Sequence, residues 1–330
     1  MLSTLFDKVT GLFDKRFTLA LLLPTFALCA GAGALAATMV GWHQTIAWWT
    51  SLDAARQVAL GIAAAAAIVV LAIIIGTQVL AMTRFLEGYW SWPADKTAGR
   101  AGRWRQARRR GRLANSRSSL SDLRSYLEFP EDAGKIMPTR LGNALRAAES
   151  YPGERRWGLD AVFWWPRLYL ILPDSARSQV DDARASVDQL VVLTMLSAAF
   201  GVAAFILSFL GLNQVVGFSC AGGGLLLSRA SYLSAVTSAT VFGELVRSCY
   251  DLYRADLLKQ LGWLMPPTLP EERRLWAVLT KKLYRGDVDN SADNNEEALL
   301  NAPRQPAAAP DTPPPVSRSA VIASLLKKRR

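Results

Sequence analysis

Side chains suited to catalysis or metal binding are few in this chain and are widely separated. The only histidine is His43, and no Cys-x-x-Cys or other His and Cys spacing typical of a metal site occurs. Ser219 or Ser228 could form a dyad with His43, but no residue pattern orients such a pair. We therefore predict no metal, no cofactor and no enzymatic activity. The three cysteines are Cys29, Cys220 and Cys249.

Sequence motifs of nucleotide-binding proteins, kinases and zinc proteases are also missing. It contains no P-loop, dinucleotide-binding fingerprint, kinase motif set or zinc-protease helix. The run Ala221-Gly222-Gly223-Gly224 resembles a phosphate loop only superficially. Because it stands within an apolar segment, its small residues favour close helix packing instead.

A second group of side chains combines charge and hydrogen-bonding capacity with nearby Gly and Pro residues. Such a mixture can build either a binding site or an ion-pair network that stabilises the fold. We favour the network, because no substrate-specific arrangement is visible. The candidates are Arg140, Asn143, Arg146, Glu149, Asp160, Arg167, Arg229 and Glu244.

Apolar blocks define the elements that position these residues. The chain is 51% hydrophobic, and a helix of about 20 apolar residues can cross the roughly 30 Å hydrocarbon core of a bilayer. We predict an all-α membrane protein with about four transmembrane helices. The first block also contains Ala34-Leu35-Ala36, which leaves a cleaved signal peptide as an alternative. The blocks are residues 17–40, 58–82, 190–212 and 215–243.

Arg229 makes the fourth block the least apolar. If the helix enters the bilayer at Val215, Arg229 lies about 21 Å along it and its side chain can snorkel to the cytoplasmic interface. If residues 220–243 form the hydrocarbon segment instead, Arg229 is buried in the membrane and becomes a functional candidate. We favour snorkelling.

Charge predicts the orientation of the spans. The formal net charge is +11, and the basic residues concentrate between the second and third blocks, whereas residues 41–57 contain only Arg56. Basic residues near span ends stay cytoplasmic, so we expect both termini and the central region on that side. We expect this region to contact anionic lipid headgroups. No motif supports binding of nucleic acid. The basic residues are Arg100, Arg103, Arg105, Arg108, Arg109, Arg110, Arg112 and Arg117.

Composition divides the chain into six predicted regions. Between the spans and after them, helical spacing and Pro or Gly stop signals predict helices at 118–127, 140–150 and 271–285. The Pro-interrupted segment 159–172 is interpreted as a surface-docked or re-entrant element. The regions are an amphipathic interfacial helix (1–16), the first two spans (17–85), a basic and mostly helical cytoplasmic region (86–188), spans three and four (189–243), a helical extension (244–285) and a disordered Pro-rich linker with a basic tail (286–330).

Several stretches resemble signature segments of an uncharacterised family of bacterial integral membrane proteins. The resemblance covers residues 138–276 and implies a bacterial inner-membrane setting without implying a particular activity. The stretches are Pro138-Thr139-Arg140-Leu141-Gly142-Asn143-Ala144-Leu145-Arg146-Ala147-Ala148-Glu149, Trp157-Gly158-Leu159-Asp160-Ala161-Val162, Trp165-Pro166-Arg167-Leu168, Gly243-Glu244-Leu245-Val246-Arg247 and Asp251-Leu252-Tyr253-Arg254.

Two functional hypotheses follow from this organisation. The first is a non-enzymatic binding, scaffold or signalling protein that presents a cytoplasmic domain at the membrane and recruits a cytoplasmic protein. The alternative is an oligomeric channel or transporter subunit in which spans three and four line a path. Neutralising Arg229 would change transport sharply in the second case only. The first hypothesis is also compatible with a homo-oligomer.

Overall fold

The computed structural model describes residues 21–115 and 125–285, except for the side chains of Glu154 and Arg285. These residues form helices and connections, with no strand among them. The interfacial helix predicted at 1–16, most of the helix predicted at 118–127 and the linker predicted at 286–330 lie outside the described residues. The longer helices are α1 (Leu23–Val40), α2 (Trp42–Thr50), α3 (Ala54–Glu87), α4 (Arg100–Asn115), α5 (Arg140–Ser150), α6 (Ala161–Ile171), α7 (Asp174–Leu207), α8 (Gln214–Gln260) and α9 (Leu269–Arg285).

Three of the described helices, α1, α3 and α7, are long and apolar enough to cross a membrane. They overlap the first three predicted apolar blocks, although α7 ends at Leu207, five residues before the predicted end of the third block. Helix α3 extends past its block at both ends. Its N-terminus is capped by Asp53, which accepts a hydrogen bond from the Arg56 amide, and its C-terminus is capped by Gly88 in the left-handed conformation. Helix α8 contains the fourth block but does not join this group, because its glycines, serines and Arg229 lower its mean hydropathy.

Helices α7 and α8 form a closely packed antiparallel pair joined by a turn at residues 208–213. A Cβ atom on Gly224 would lie 2.8 Å from the Cα atom of Gly201, so only glycine permits this approach. Further along the pair, the Ser228 hydroxyl donates to the Thr194 carbonyl oxygen at 3.0 Å. Within the predicted small-residue run, Gly224 therefore supports close packing, whereas Gly222 faces open space.

The described chain forms two compact units. The first comprises residues 21–115, 125–151 and 172–249. In its core, Leu141 of α5 packs with Val187 and Val191 of α7 and with Val236 of α8. A second cluster joins α3 and α7 through Ile75, Val192 and Leu196, with Leu28 of α1 packed against it. Helix α5 has the bounds predicted from the sequence.

The second unit comprises residues 152–171 and 250–285 and is built around aromatic side chains. Trp164 of α6 and Trp276 of α9 are fully buried and meet edge to face with ring centroids 4.7 Å apart. The Trp164 indole N–H donates to Thr280 Oγ1 at 2.9 Å. Arg254 pairs with the buried Glu272 at 3.1 Å. The segment predicted to be surface-docked or re-entrant thus supplies the helix α6 that carries Trp164 into this core.

Candidate functional site

The turn before α5 is held by the side chain of Asn143, which is 1% exposed. Its amide nitrogen donates to the carbonyl oxygens of Met137 and Thr139, and its oxygen accepts from the Met137 amide at 2.8 Å. Thr139 caps the helix by accepting from the Gly142 amide at 3.0 Å, while its own hydroxyl donates to the Glu87 carbonyl oxygen at 2.8 Å. This turn is therefore fixed to the end of α3.

Pro138, in the same turn, contacts two further elements. A Cβ atom on Gly88, at the end of α3, would overlap the Pro138 ring, and one on Gly102 of α4 would lie 2.7 Å from the Pro138 carbonyl oxygen. From α8, the Tyr232 hydroxyl accepts a hydrogen bond from the Arg140 amide at 3.2 Å. The stretch 138–149, which includes most of α5, thus contacts α3, α4 and α8. These close contacts account for its Gly, Pro, Thr and Asn residues.

The inner face of α4 uses three arginines in contacts with neighbouring segments. Arg103 binds Asp95 at 2.7 Å, and this hydrogen bond holds the pKa of the Asp95 carboxyl below its ordinary value. Arg110 donates to the Glu131 carbonyl oxygen at 2.8 Å. Arg109 binds Glu128 at 3.1 Å. These three basic residues therefore hold the helix in place.

Glu128 lies between two guanidinium groups. Its Oε2 atom is 3.1 Å from Arg109 and 3.5 Å from Arg140. Burial, together with the charge on Arg140, lowers the pKa of Arg109. One carboxylate thus connects the basic helix α4 with the first residue of α5.

The outer face of α4 carries a different set of basic residues. Trp104 is 57% exposed, and the Arg108 guanidinium stacks 4.0 Å from the centre of its ring. Arg105 and Arg112 are exposed on the same face and have no hydrogen-bond or ion-pair partner within the described residues. We call Trp104, Arg105, Arg108 and Arg112 the basic face. Cationic side chains beside an exposed indole can bind an anionic surface.

Of the eight sequence candidates, six lie in the first unit and two in the second. Arg140 and Asn143 belong to the turn described above, and Arg146 pairs with Glu149 at 2.9 Å on α5. Arg229 and Glu244 are exposed on α8.

The other two candidates, Asp160 and Arg167, lie in the second unit. Asp160 accepts a hydrogen bond from the Val162 amide at the start of α6. The Arg167 guanidinium lies 3.8 Å from the centre of the Phe163 ring. Both side chains therefore make local contacts within or beside α6.

Sequence reasoning missed Glu87, Glu128 and Tyr232. Glu128 forms an ion pair with Arg140, and the Tyr232 hydroxyl accepts a hydrogen bond from the Arg140 amide. Glu87 interacts electrostatically with Arg146, with Glu149 and with one arginine each of α3 and α7. No local motif marks any of the three, so their contacts emerge only in the folded chain.

We expect Glu128→Gln to lower the free energy of unfolding by about 2 kcal/mol, between the values for exposed and for buried ion pairs. The reason is that Arg109 and Arg140 lose their shared carboxylate, which is 16% exposed. Chemical denaturation in detergent micelles measures the change. Glu149→Gln is the matched control, since its Arg146 pair is more exposed and should cost less than about 1 kcal/mol. Equal effects of the two substitutions would contradict this role of Glu128.

The described residues hold no group of three His, Cys, Asp or Glu side chains that could bind a metal ion. Cys249 is 5% exposed, and burial raises the pKa of its thiol. This raised pKa lowers the thiolate fraction at neutral pH and disfavours a nucleophilic role. Comparison of the chain with protein-family models, curated proteins and solved structures finds no match.

Proposed function

We propose that this protein is a non-enzymatic, membrane-embedded binding or scaffold protein of a bacterial inner membrane. Helices α1, α3, α7 and α8 cross the bilayer, and the basic face of α4 lies on anionic headgroups at the cytoplasmic surface. The observation that carries the proposal is the division of the α4 arginines into an inner set with protein partners and an outer set beside Trp104.

The position of α4 supports contact with lipid. Pro138 touches both Gly88 at the end of α3 and Gly102 near the start of α4, so the basic helix begins beside the end of an apolar helix. Tyr89 and Trp92, between the two helices, are 54% and 73% exposed. Exposed aromatic residues at this position are typical of the membrane interface.

Packing along α7 supports the fourth span. The close contacts of α8 with α7 extend from Gly217 beside Ser208, through Gly224 beside Gly201, to Ser228. A helix packed antiparallel along the apolar length of α7 must cross the same layer of hydrocarbon. Its lower hydropathy is tolerated because small residues permit close packing.

The same pairing supports a shallow depth for Arg229. Its neighbour Ser228 bonds to Thr194, four residues into the apolar block of α7 that begins at Leu190. Four residues correspond to about 6 Å, so Arg229 lies about one helical turn from the cytoplasmic interface. The exposed side chain can snorkel over that distance, which favours an anchoring role over a pore role.

Reporter fusions test the four-span topology. Alkaline phosphatase and green fluorescent protein would each be fused within residues 51–53, within residues 116–124 and after Arg285. We expect phosphatase activity only at the first site and fluorescence at the other two, since four spans return the chain to the cytoplasm.

Phosphatase activity after Arg285 would show that α8 does not cross the membrane. Activity at residues 116–124 would place the basic face outside the cytoplasm and overturn the proposed orientation. Extraction of the unfused protein from membranes by alkaline carbonate would overturn the membrane-embedded assignment itself.

A further inference from the structure

We propose that a crevice among α1, α7 and α8 binds one acyl chain of a membrane phospholipid, an inference that rests on the membrane insertion proposed above. Its lining comes from residues 24–31 of α1, 193–200 of α7 and 220–227 of α8. Each helix contributes four residues spaced i, i+3, i+4 and i+7, which place one helical face towards the crevice over two turns.

The dimensions of the crevice select its occupant. Its volume is about 340 Å³, and seven residues of helix rise give it a length of about 10 Å. A helix with side chains is about 10–12 Å wide, so a 10 Å length of it occupies on the order of 800–1,100 Å³. The crevice therefore cannot enclose a helix of a second copy. A hydrocarbon chain fits, because its carbon atoms contact neighbours at about 4 Å.

The chemistry of the lining agrees with this choice. Among the described residues that line the crevice, only Ser197 and Cys220 have a side chain with a polar or sulfur atom, and none is charged. A lipid headgroup placed there would lose its hydration without compensation, whereas a saturated chain would not. Small residues on opposite walls, Ala27 on α1 and Gly223 on α8, leave the space open.

Packing closes one end of the crevice. Leu35 of α1, Ala204 of α7 and Ala221 of α8 belong to one buried cluster on the side of the 208–213 turn. A chain therefore enters from the side or from the end near Pro24, which the proposed topology places towards the cytoplasmic leaflet. The crevice thus suits a lipid of that leaflet.

The test uses the full chain in liposomes of phosphatidylethanolamine and phosphatidylglycerol that contain phosphatidylethanolamine with a diazirine in one acyl chain. After irradiation, mass spectrometry would map the labelled residues. We expect adducts at Leu28 and Leu196, which line the crevice, to exceed those at Leu226, which is 73% exposed.

Two neighbouring glycines provide matched variants. A Cβ atom on Gly222 or on Gly223 meets no atom within 4 Å, but only Gly223 lines the crevice. We expect Gly223→Leu to abolish the excess labelling and Gly222→Leu to preserve it, because only the first side chain fills the space. Ala27→Leu, on the opposite wall, should repeat the loss if Gly223→Leu fails to fold.

Each further outcome contradicts a specific proposal. Labelling spread evenly over lining and outward-facing residues, or unchanged by Gly223→Leu and Ala27→Leu, would overturn the acyl-chain site and leave the membrane assignment intact. If the protein separates from the liposomes on flotation and α1, α3 and α7 are unlabelled, the proposed membrane insertion is wrong.

Discussion

Gly142→Ala should lower the free energy of unfolding by about 3 kcal/mol, although helix propensity alone predicts that alanine stabilises a helix relative to glycine. Alanine is favoured over glycine by about 1 kcal/mol within a helix. At position 142, however, the new Cβ atom would overlap the Glu87 carbonyl oxygen and lie 3.0 Å from the Met137 Cβ atom. Overpacking against backbone costs about 1–3 kcal/mol, and displacement of α5 would also break the bond from Thr139 to Glu87.

Pulse proteolysis of the protein in bicelles would measure this loss. Gly111→Ala in α4 is the matched control, because a Cβ atom there meets no other atom within 4 Å. We expect the control to raise the free energy of unfolding by about 0.5–1 kcal/mol. If Gly142→Ala also stabilises the protein, the close approach of α5 to α3 is wrong.

Replacement of Arg105, Arg108 and Arg112 by glutamine should weaken the interaction with anionic lipid by about 3 kcal/mol in total. Each arginine contributes about 1 kcal/mol, equivalent to about a fivefold preference for an anionic neighbour. Mass spectrometry of lipids retained after mild extraction from mixed phosphatidylglycerol and phosphatidylethanolamine vesicles would measure that preference. Added salt should reduce it in the unsubstituted protein, since exposed charges are screened.

The matched control is glutamine at Lys259, Arg274 and Lys281, which are exposed basic residues of the second unit. It removes the same formal charge and therefore separates a local effect of α4 from an effect of net charge. The variant of the basic face should lose at most about 1 kcal/mol in its free energy of unfolding, because those three arginines make no ion pair within the described residues and only the exposed stacking of Arg108 on Trp104 is lost. Equal loss of lipid preference in both variants would indicate a net-charge effect and contradict a specific basic face.

Local sequence signals predicted most of the described helices. The bounds of α5 follow from Thr139 as its cap and from the Tyr151-Pro152-Gly153 stop signal, both of which act within a few residues. The candidate site was less predictable. Seven arginines in α4 appear equivalent in the sequence, and helical spacing shows only which of them share a face.

The sequence alone determined the apolar helices and the asymmetry of charge around them, because hydrophobicity and charge are properties of each residue and sum along a segment. Tertiary structure decided which α4 arginines are used internally, since Glu128 approaches Arg109 from 19 residues away. It also joined Arg140 to Tyr232, 92 residues further along the chain, and aligned the weakly apolar α8 with α7 through Gly201 and Gly224. Such contacts depend on which surfaces meet after folding, and residue types within one segment do not encode that choice.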